Sequence, residues 1–152
     1  MYEFIDRPVY QQTEGVRLLV WGMRRWVRAA REERCVCRFL ASVFETAGVP
    51  KAAAPLAATM RILVGNMLVP LRFGAIEHPV ITEHEAVLLG ALVTASQGEG
   101  GRCHTMARLL VHADMAPALA SSLIGFAQAL AEAGVQLAPE VRATGPGGSD
   151  RA

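Results

Sequence analysis

Charge and aromatic rings are both in short supply. Of 152 residues, 19% are charged and 6% aromatic, against 52% that are hydrophobic. Fifteen basic and 14 acidic side chains leave a formal net charge of +1. That balance excludes a generally basic nucleic-acid coat, and the apolar fraction excludes a disordered chain. Cysteine is scarce too. Three cysteines are an odd number and form no framework of even spacings, so reduced thiols in a cytoplasmic protein are expected. The opening Met1-Tyr2-Glu3-Phe4-Ile5-Asp6 has no basic region followed by an apolar stretch, so no secretory signal is expected.

Long uninterrupted apolar runs are missing. The segment 52–71 carries Arg61, Pro55, Pro70 and Gly65-Asn66, and 115–131 carries Pro117, Ser121, Ser122, Gly125 and Gln128. A span needs about 20 predominantly apolar residues. Both segments read as buried helices of a bundle, with no membrane insertion.

Catalytic signatures are absent as well. There is no Gly-x-Ser-x-Gly and no cysteine with a family-specific flank. Gly98-Glu99-Gly100-Gly101 lacks the lysine of a phosphate loop and holds an acid where phosphate would sit. No catalytic residue and no cofactor is assigned, and the reading leans away from an enzyme. One alternative is a small metal-binding enzyme or sensor, with Cys35, Cys37, Cys103 and His104 as ligands whose types suit zinc. Its spacing is poor, because residues two apart on a helix point about 200° from each other. Two further groupings are weaker. His104, Arg108 and His112 recur at helical spacing with a repelling cation between the imidazoles. His78, Glu83 and His84 lack the paired spacing that holds a metal.

What is present is helical periodicity. The length fits one domain, expected over 1–138, with a flexible tail over 139–152 rich in glycine, serine and proline. Such a chain buries roughly 70% of its unfolded surface and needs no metal or disulfide to fold. A first helix is expected from about Tyr10 or Thr13 to Arg31, with Thr13 as N-cap and Leu19, Met23, Trp26 and Ala30 on one face. A second, over 34–47, buries Cys37, Leu40, Phe44 and Ala47 and stops at Gly48 and Pro50. A third starts near 52–55, uses Leu56, Met60, Leu63 and Met67, and ends before Pro70. The alternative for this stretch is an irregular or hairpin segment around 64–80, turning at Gly65-Asn66.

Thr82-Glu83-His84-Glu85 matches a capping box before the apolar run 86–95, which should form a central helix. A fifth helix is expected over 103–113, burying Met106, Leu109, Leu110 and Ala113. A sixth, over 115–133, is capped by Asp114, with Leu119, Leu123, Phe126 and Leu130 as its seam and Gly134 after its end. The result is an all-α, single-domain bundle of five or six helices. The last three resemble in layout the three-helix core of small transcriptional regulators. The candidate reading helix, however, has no Arg, Lys, Asn or Asp over 116–131, so it offers nothing to phosphates or base edges.

The net charge hides an asymmetry. Residues 1–75 hold 11 basic and 6 acidic side chains, whereas 76–140 hold 2 and 7. On a helical wheel Arg17, Arg24, Arg28 and Arg31 fall within an arc of about 60°. Trp21 stands among these arginines while Trp26 faces the apolar side. Tryptophan and arginine dominate interface hot spots. Arg17, Trp21, Arg24, Arg25, Arg28 and Arg31 are therefore the candidate partner-binding face of a non-enzymatic adaptor, scaffold or regulatory protein. The partner is another protein or a second copy of the chain. An RNA-binding helical module is a further alternative, but the balanced charge and missing motifs weigh against nucleic acid.

Overall fold

The computed structural model describes residues 3–137. Among them are six α-helices and no sheet: α1 Glu14–Arg31, α2 Val36–Thr46, α3 Ala53–Asn66, α4 Glu83–Ser96, α5 Gly100–Ala107 and α6 Ala116–Glu132. Short 3-10 turns at Val9–Gln11 and Pro50–Ala52 precede α1 and α3. This is the all-α bundle that the periodicity predicts. The tail over 139–152 lies outside the described residues. No helix among the described residues is long and apolar enough to cross a membrane.

Local chemistry accounts for most of the ends. The Thr13 hydroxyl accepts the Val16 N–H at 3.3 Å, which satisfies one of the exposed donors that open α1. Gly48 and Gly134 follow α2 and α6 with φ of 80° and 75°, the left-handed conformation that costs glycine little. Glu85 reaches back to the Thr82 N–H at 2.9 Å, as the capping box requires.

Two helix ends differ from expectation, for one shared reason. α3 stops at Asn66, and Gly65-Asn66 is its last turn rather than a hairpin turn. α5 stops at Ala107 and tightens into 3-10-type bonds, Leu109 N–H to Met106 and Leu110 N–H to Ala107. The two chain ends then pair across: Leu68 donates to Leu110 at 3.2 Å and His112 to Asn66 at 3.1 Å, around an antiparallel bridge between Met67 and Val111. Tertiary pairing takes over backbone groups that longer helices would have used. Met67, Leu109 and Ala113, expected inside, are therefore exposed. At α6 the cap is Met115 and makes no side-chain bond, so Asp114 does not fill that role. Ala30 and Ala47 are also exposed, although Leu19, Met23 and Trp26 of the one stripe and Leu40 and Phe44 of the other are buried.

α6 is the hub. It packs on α3, α4 and α5, while α1 and α2 pack on each other and on α3. Its seam of Leu119, Leu123, Phe126 and Leu130 is fully buried, as are Leu88, Leu89 and Leu92 of α4. Each such side chain stabilises the fold by roughly 1.5–3 kcal/mol. The Thr59 and Ser122 hydroxyls meet at 2.8 Å between α3 and α6, so the polar groups at that contact are paired. Gly22 lets α1 close on its neighbours: a Cβ there would lie 2.8 Å from Leu56 Cδ2 and 3.2 Å from Phe44 Cζ.

The N-terminal arm packs on the connector that follows α3. Phe4 is buried, Asp6 donates to Ile81 at 3.0 Å, Ile81 to Arg7 at 3.0 Å, and Val9 to Pro79 at 2.9 Å. The arm thus clamps the end of the long connector between α3 and α4.

Candidate functional site

The polar side of α1 splits into two environments. Trp21 is 44% exposed, although it is one of the largest apolar side chains in the protein. One turn on, Arg25 lays its guanidinium over the Trp21 ring at 4.0 Å from the centroid. Phe39 of α2, 37% exposed, approaches the same guanidinium at 5.5 Å. A cation over an aromatic face is attracted by the ring quadrupole, by about 0.5–1 kcal/mol at an exposed site. The stack fixes a guanidinium plane but occupies none of its in-plane donors. Arg25 Nε is buried and has no hydrogen-bond partner among the described residues.

Trp21 also stands at the edge of a groove of about 1030 Å³. Tyr10 and Leu18 border it on the arm and α1, Val49 after α2, His78 on the connector and Val135 after α6. On this side α1 begins hard against the chain that follows α6. At Gly15 an added Cβ would collide with the Gln136 carbonyl oxygen.

Arg24 belongs to the other environment, and its place on the exposed face must be corrected. Its side chain is 1% exposed and pairs with Glu85, which is wholly buried. Arg24 Nε donates to Glu85 Oε1 at 2.8 Å, and Nη2 to Oε2 at 3.0 Å. Nη1 donates to the His78 carbonyl at 2.7 Å, and Nη2 also to that of Val80 at 2.8 Å. The physical reason lies on the wheel. Arg24 is one turn from buried Val20, on the flank that the connector and α4 cover. Sequence position placed it among the polar side chains, but tertiary packing closed over it.

Glu85 is correspondingly saturated. Besides Arg24 it accepts the Gly74 N–H at 2.9 Å on Oε1 and the Thr82 N–H at 2.9 Å on Oε2. Burial pushes its carboxyl pKa up. The Arg24 hydrogen bonds, the Thr82 and Gly74 amides and the Arg24 charge together outweigh that push and hold it below the ordinary value. This pair is structural, because every one of its acceptor sites is used inside the fold.

The remaining arginines stay at the surface. Arg28 and Arg34 share Glu32 at 3.2 and 3.1 Å in exposed pairs, a geometry that contributes about 0–1 kcal/mol. Arg17 and Arg31 are exposed and make no ion pair among the described residues. The surviving face is therefore Arg17, Trp21, Arg25, Arg28 and Arg31, with Phe39 added. Phe39 escaped notice because it adjoins the buried Leu40 in sequence. The signal that singles out Trp21, an aromatic off the apolar stripe of its helix, would have found it.

The weaker groupings do not assemble. Cys35 is exposed at the start of α2, and Cys103 is buried in α5, where burial pushes its thiol pKa up. The side chain of Cys37 lies outside the described residues. No group of three or more His, Cys, Asp or Glu side chains among the described residues is placed to hold a metal ion. α5 ends before His112, so that residue leaves the His104 ridge. His84 Nδ1 accepts the Arg72 N–H at 2.8 Å, which ties the imidazole to the connector.

No family model, no curated protein and no solved structure matches the chain. The site itself has to carry the functional argument.

Proposed function

We propose that this chain is a non-catalytic interaction protein that receives a segment of a partner protein on the Trp21–Arg25–Phe39 face. What supports this reading is one observation: a half-exposed tryptophan holds an arginine in a fixed plane at 4.0 Å, with a second ring beyond it. Side chains already immobilised lose little freedom on association, which removes part of the cost of binding. Arg25 then presents donors to a carboxylate on the partner, while Trp21 and the adjoining groove receive apolar side chains. Arg17, Arg28 and Arg31 surround the stack and favour an acidic segment. A second copy of the chain qualifies as partner, since residues 76–140 carry an acidic excess.

The test is a photo-crosslinking amino acid placed at position 39 of the full chain, in the cells that make it. A control carries the probe at exposed position 118 on α6. The expected result is a discrete protein adduct from position 39 only, reduced about thirtyfold by Arg25→Glu, the size of an interface hot spot. An adduct to the chain itself identifies the second copy. An adduct to RNA, equal adducts from both positions, or none, overturns the reading.

A further inference from the structure

The motif that opens α4 does more than cap it. Both backbone groups of Arg72, on the connector, are held by side chains of Thr82-Glu83-His84-Glu85. The Arg72 N–H donates to His84 Nδ1 at 2.8 Å, and its carbonyl accepts the Thr82 hydroxyl at 2.8 Å. Two residues on, the Gly74 N–H donates to Glu85 Oε1 at 2.9 Å. The stretch 72–74 is thus fastened to α4 by side chains rather than by a backbone ladder. Behind these fastenings Leu71 and Phe73 are half-buried and pack on the core.

Of the three fastenings, one answers to a proton near neutrality. The Thr82 hydroxyl does not titrate there, and Glu85 is held ionised by Arg24 and the Gly74 and Thr82 amides. An imidazole nitrogen accepts a hydrogen bond only while it carries no proton. The bond to Arg72 therefore requires neutral His84 with its hydrogen on Nε2. A second proton turns Nδ1 into a donor that faces another donor. It also sets a cation in the first turn of α4, at the positive end of the helix dipole. The neighbouring charges balance. Exposed Arg72 on the connector is offset by exposed Glu83 on α4, and Glu85 by Arg24 of α1. The arm, which pairs with Ile81, brings Asp6 and Arg7 together. The donor-to-donor contact is left uncompensated.

We infer that His84 is a proton-operated latch on the connector. Neutral, it holds 69–73 against the start of α4. Protonated, it lets that stretch swing out and uncovers Leu71 and Phe73. The movable part has fixed ends. Leu68 donates to Leu110 at 3.2 Å on one side, and Arg24 holds the carbonyls of His78 and Val80 at 2.7 and 2.8 Å on the other. None of these groups changes charge near neutrality, so the bundle stays folded while the latch opens. Histidine is the side chain whose charge ordinarily changes between about pH 5 and 8, which places the switch in mild acid.

The experiment is amide hydrogen exchange on the full chain at about pH 7.5 and about pH 5.5, corrected for the intrinsic rate at each. Both values lie above the ordinary carboxylate range, so Glu85 stays ionised throughout. Protection over 71–74 is expected to fall at least about fivefold at the lower pH, the effect of one lost hydrogen bond, while 86–95 in α4 keeps its protection. His84→Asn supplies an acceptor oxygen that does not titrate, and His84→Ala supplies none. The first should hold protection at both pH values and the second should lack it at both, with circular dichroism to confirm that each folds. His78→Asn should keep the wild-type step, since the His78 carbonyl rather than its imidazole takes part. Unchanged protection over 71–74 in the wild type, a step that survives in folded His84→Asn or His84→Ala, or an equal loss over 86–95 overturns the inference.

Discussion

Arg24 and Glu85 stand 61 positions apart in the chain and meet through two N–H···O bonds of 2.8 and 3.0 Å, both side chains sealed from solvent. Taking two ions out of water costs several kcal/mol each, and the attraction offsets this only when the remaining donors and acceptors are filled. Here they are, by the carbonyls of His78 and Val80 and the amides of Gly74 and Thr82. Removing one partner strands the other. Arg24→Met and Glu85→Gln should each cost about 3–5 kcal/mol. The double variant should cost clearly less than their sum, since the stranded charge is gone. Urea unfolding of the four proteins checks this, and additive costs would show that the pair is not coupled.

The same pair sets an acid limit. Glu85 has its folded-state pKa below the ordinary value. Its contribution is fully present above the unfolded pKa, about 4.3, and is lost as pH falls through the lower folded value. Melting temperature should therefore drop on acidification from about pH 5 downward. Glu85→Gln should flatten that slope. A wild-type slope retained in Glu85→Gln would assign the acid limit to other carboxylates.

Gly74 lies flat against the guanidinium. A Cβ at that position would sit 2.8 Å from Arg24 Nη2 and 2.9 Å from Cζ. Four hydrogen bonds hold the guanidinium, so it has little room to yield. Gly74→Ala should cost about 1–3 kcal/mol, the usual penalty for overpacking. Gly65→Ala is the control, since nothing lies within 4 Å of its added Cβ. It should be neutral or stabilising by denaturant titration, as alanine replaces glycine inside a helix.

The periodicity made most of the fold legible. Helix stripes at 19, 23 and 26, at 56, 60 and 63, and at 119, 123, 126 and 130 all face the interior. The capping box placed α4 to the residue. The misreadings have a common origin in long-range contacts, which no local pattern encodes. Met67, Leu109 and Ala113 follow helical spacing in the sequence, but the pairing of 66–68 with 110–112 ends both helices first. Arg24 looked like its neighbours Arg28 and Arg31, and only the fold reveals that the connector covers it. Trp21 was readable because an indole off the apolar stripe is conspicuous within a single helix.

The two tryptophans should separate cleanly in fluorescence. Trp26 is 7% exposed and Trp21 44%. Trp21→Phe should leave a blue-shifted emission that acrylamide quenches poorly, whereas Trp26→Phe should leave a red-shifted, readily quenched one. Trp21→Ala should cost about 1 kcal/mol or less in stability, the scale of an exposed cation–π contact. A larger loss would make Trp21 a core residue and remove the proposed docking face.

Thiol chemistry should divide in the same way. Cys35 is exposed, while Cys103 is buried with its pKa raised by that burial. Alkylation of native protein followed by peptide mapping should label Cys35 readily and Cys103 only after unfolding. Early labelling of Cys103 would mean that α5 opens easily from α4 and α6.

The stitching of the connector has a consequence for how the chain can be divided. Atoms from the opening helix, the linker and the fourth helix all converge on one guanidinium and one carboxylate. A fragment cut anywhere between positions 24 and 85 inherits a lone ion and no counterpart for its oily interior. Neither piece is expected to fold on its own, and the protein is expected to melt in a single step and to resist being trimmed into smaller working parts.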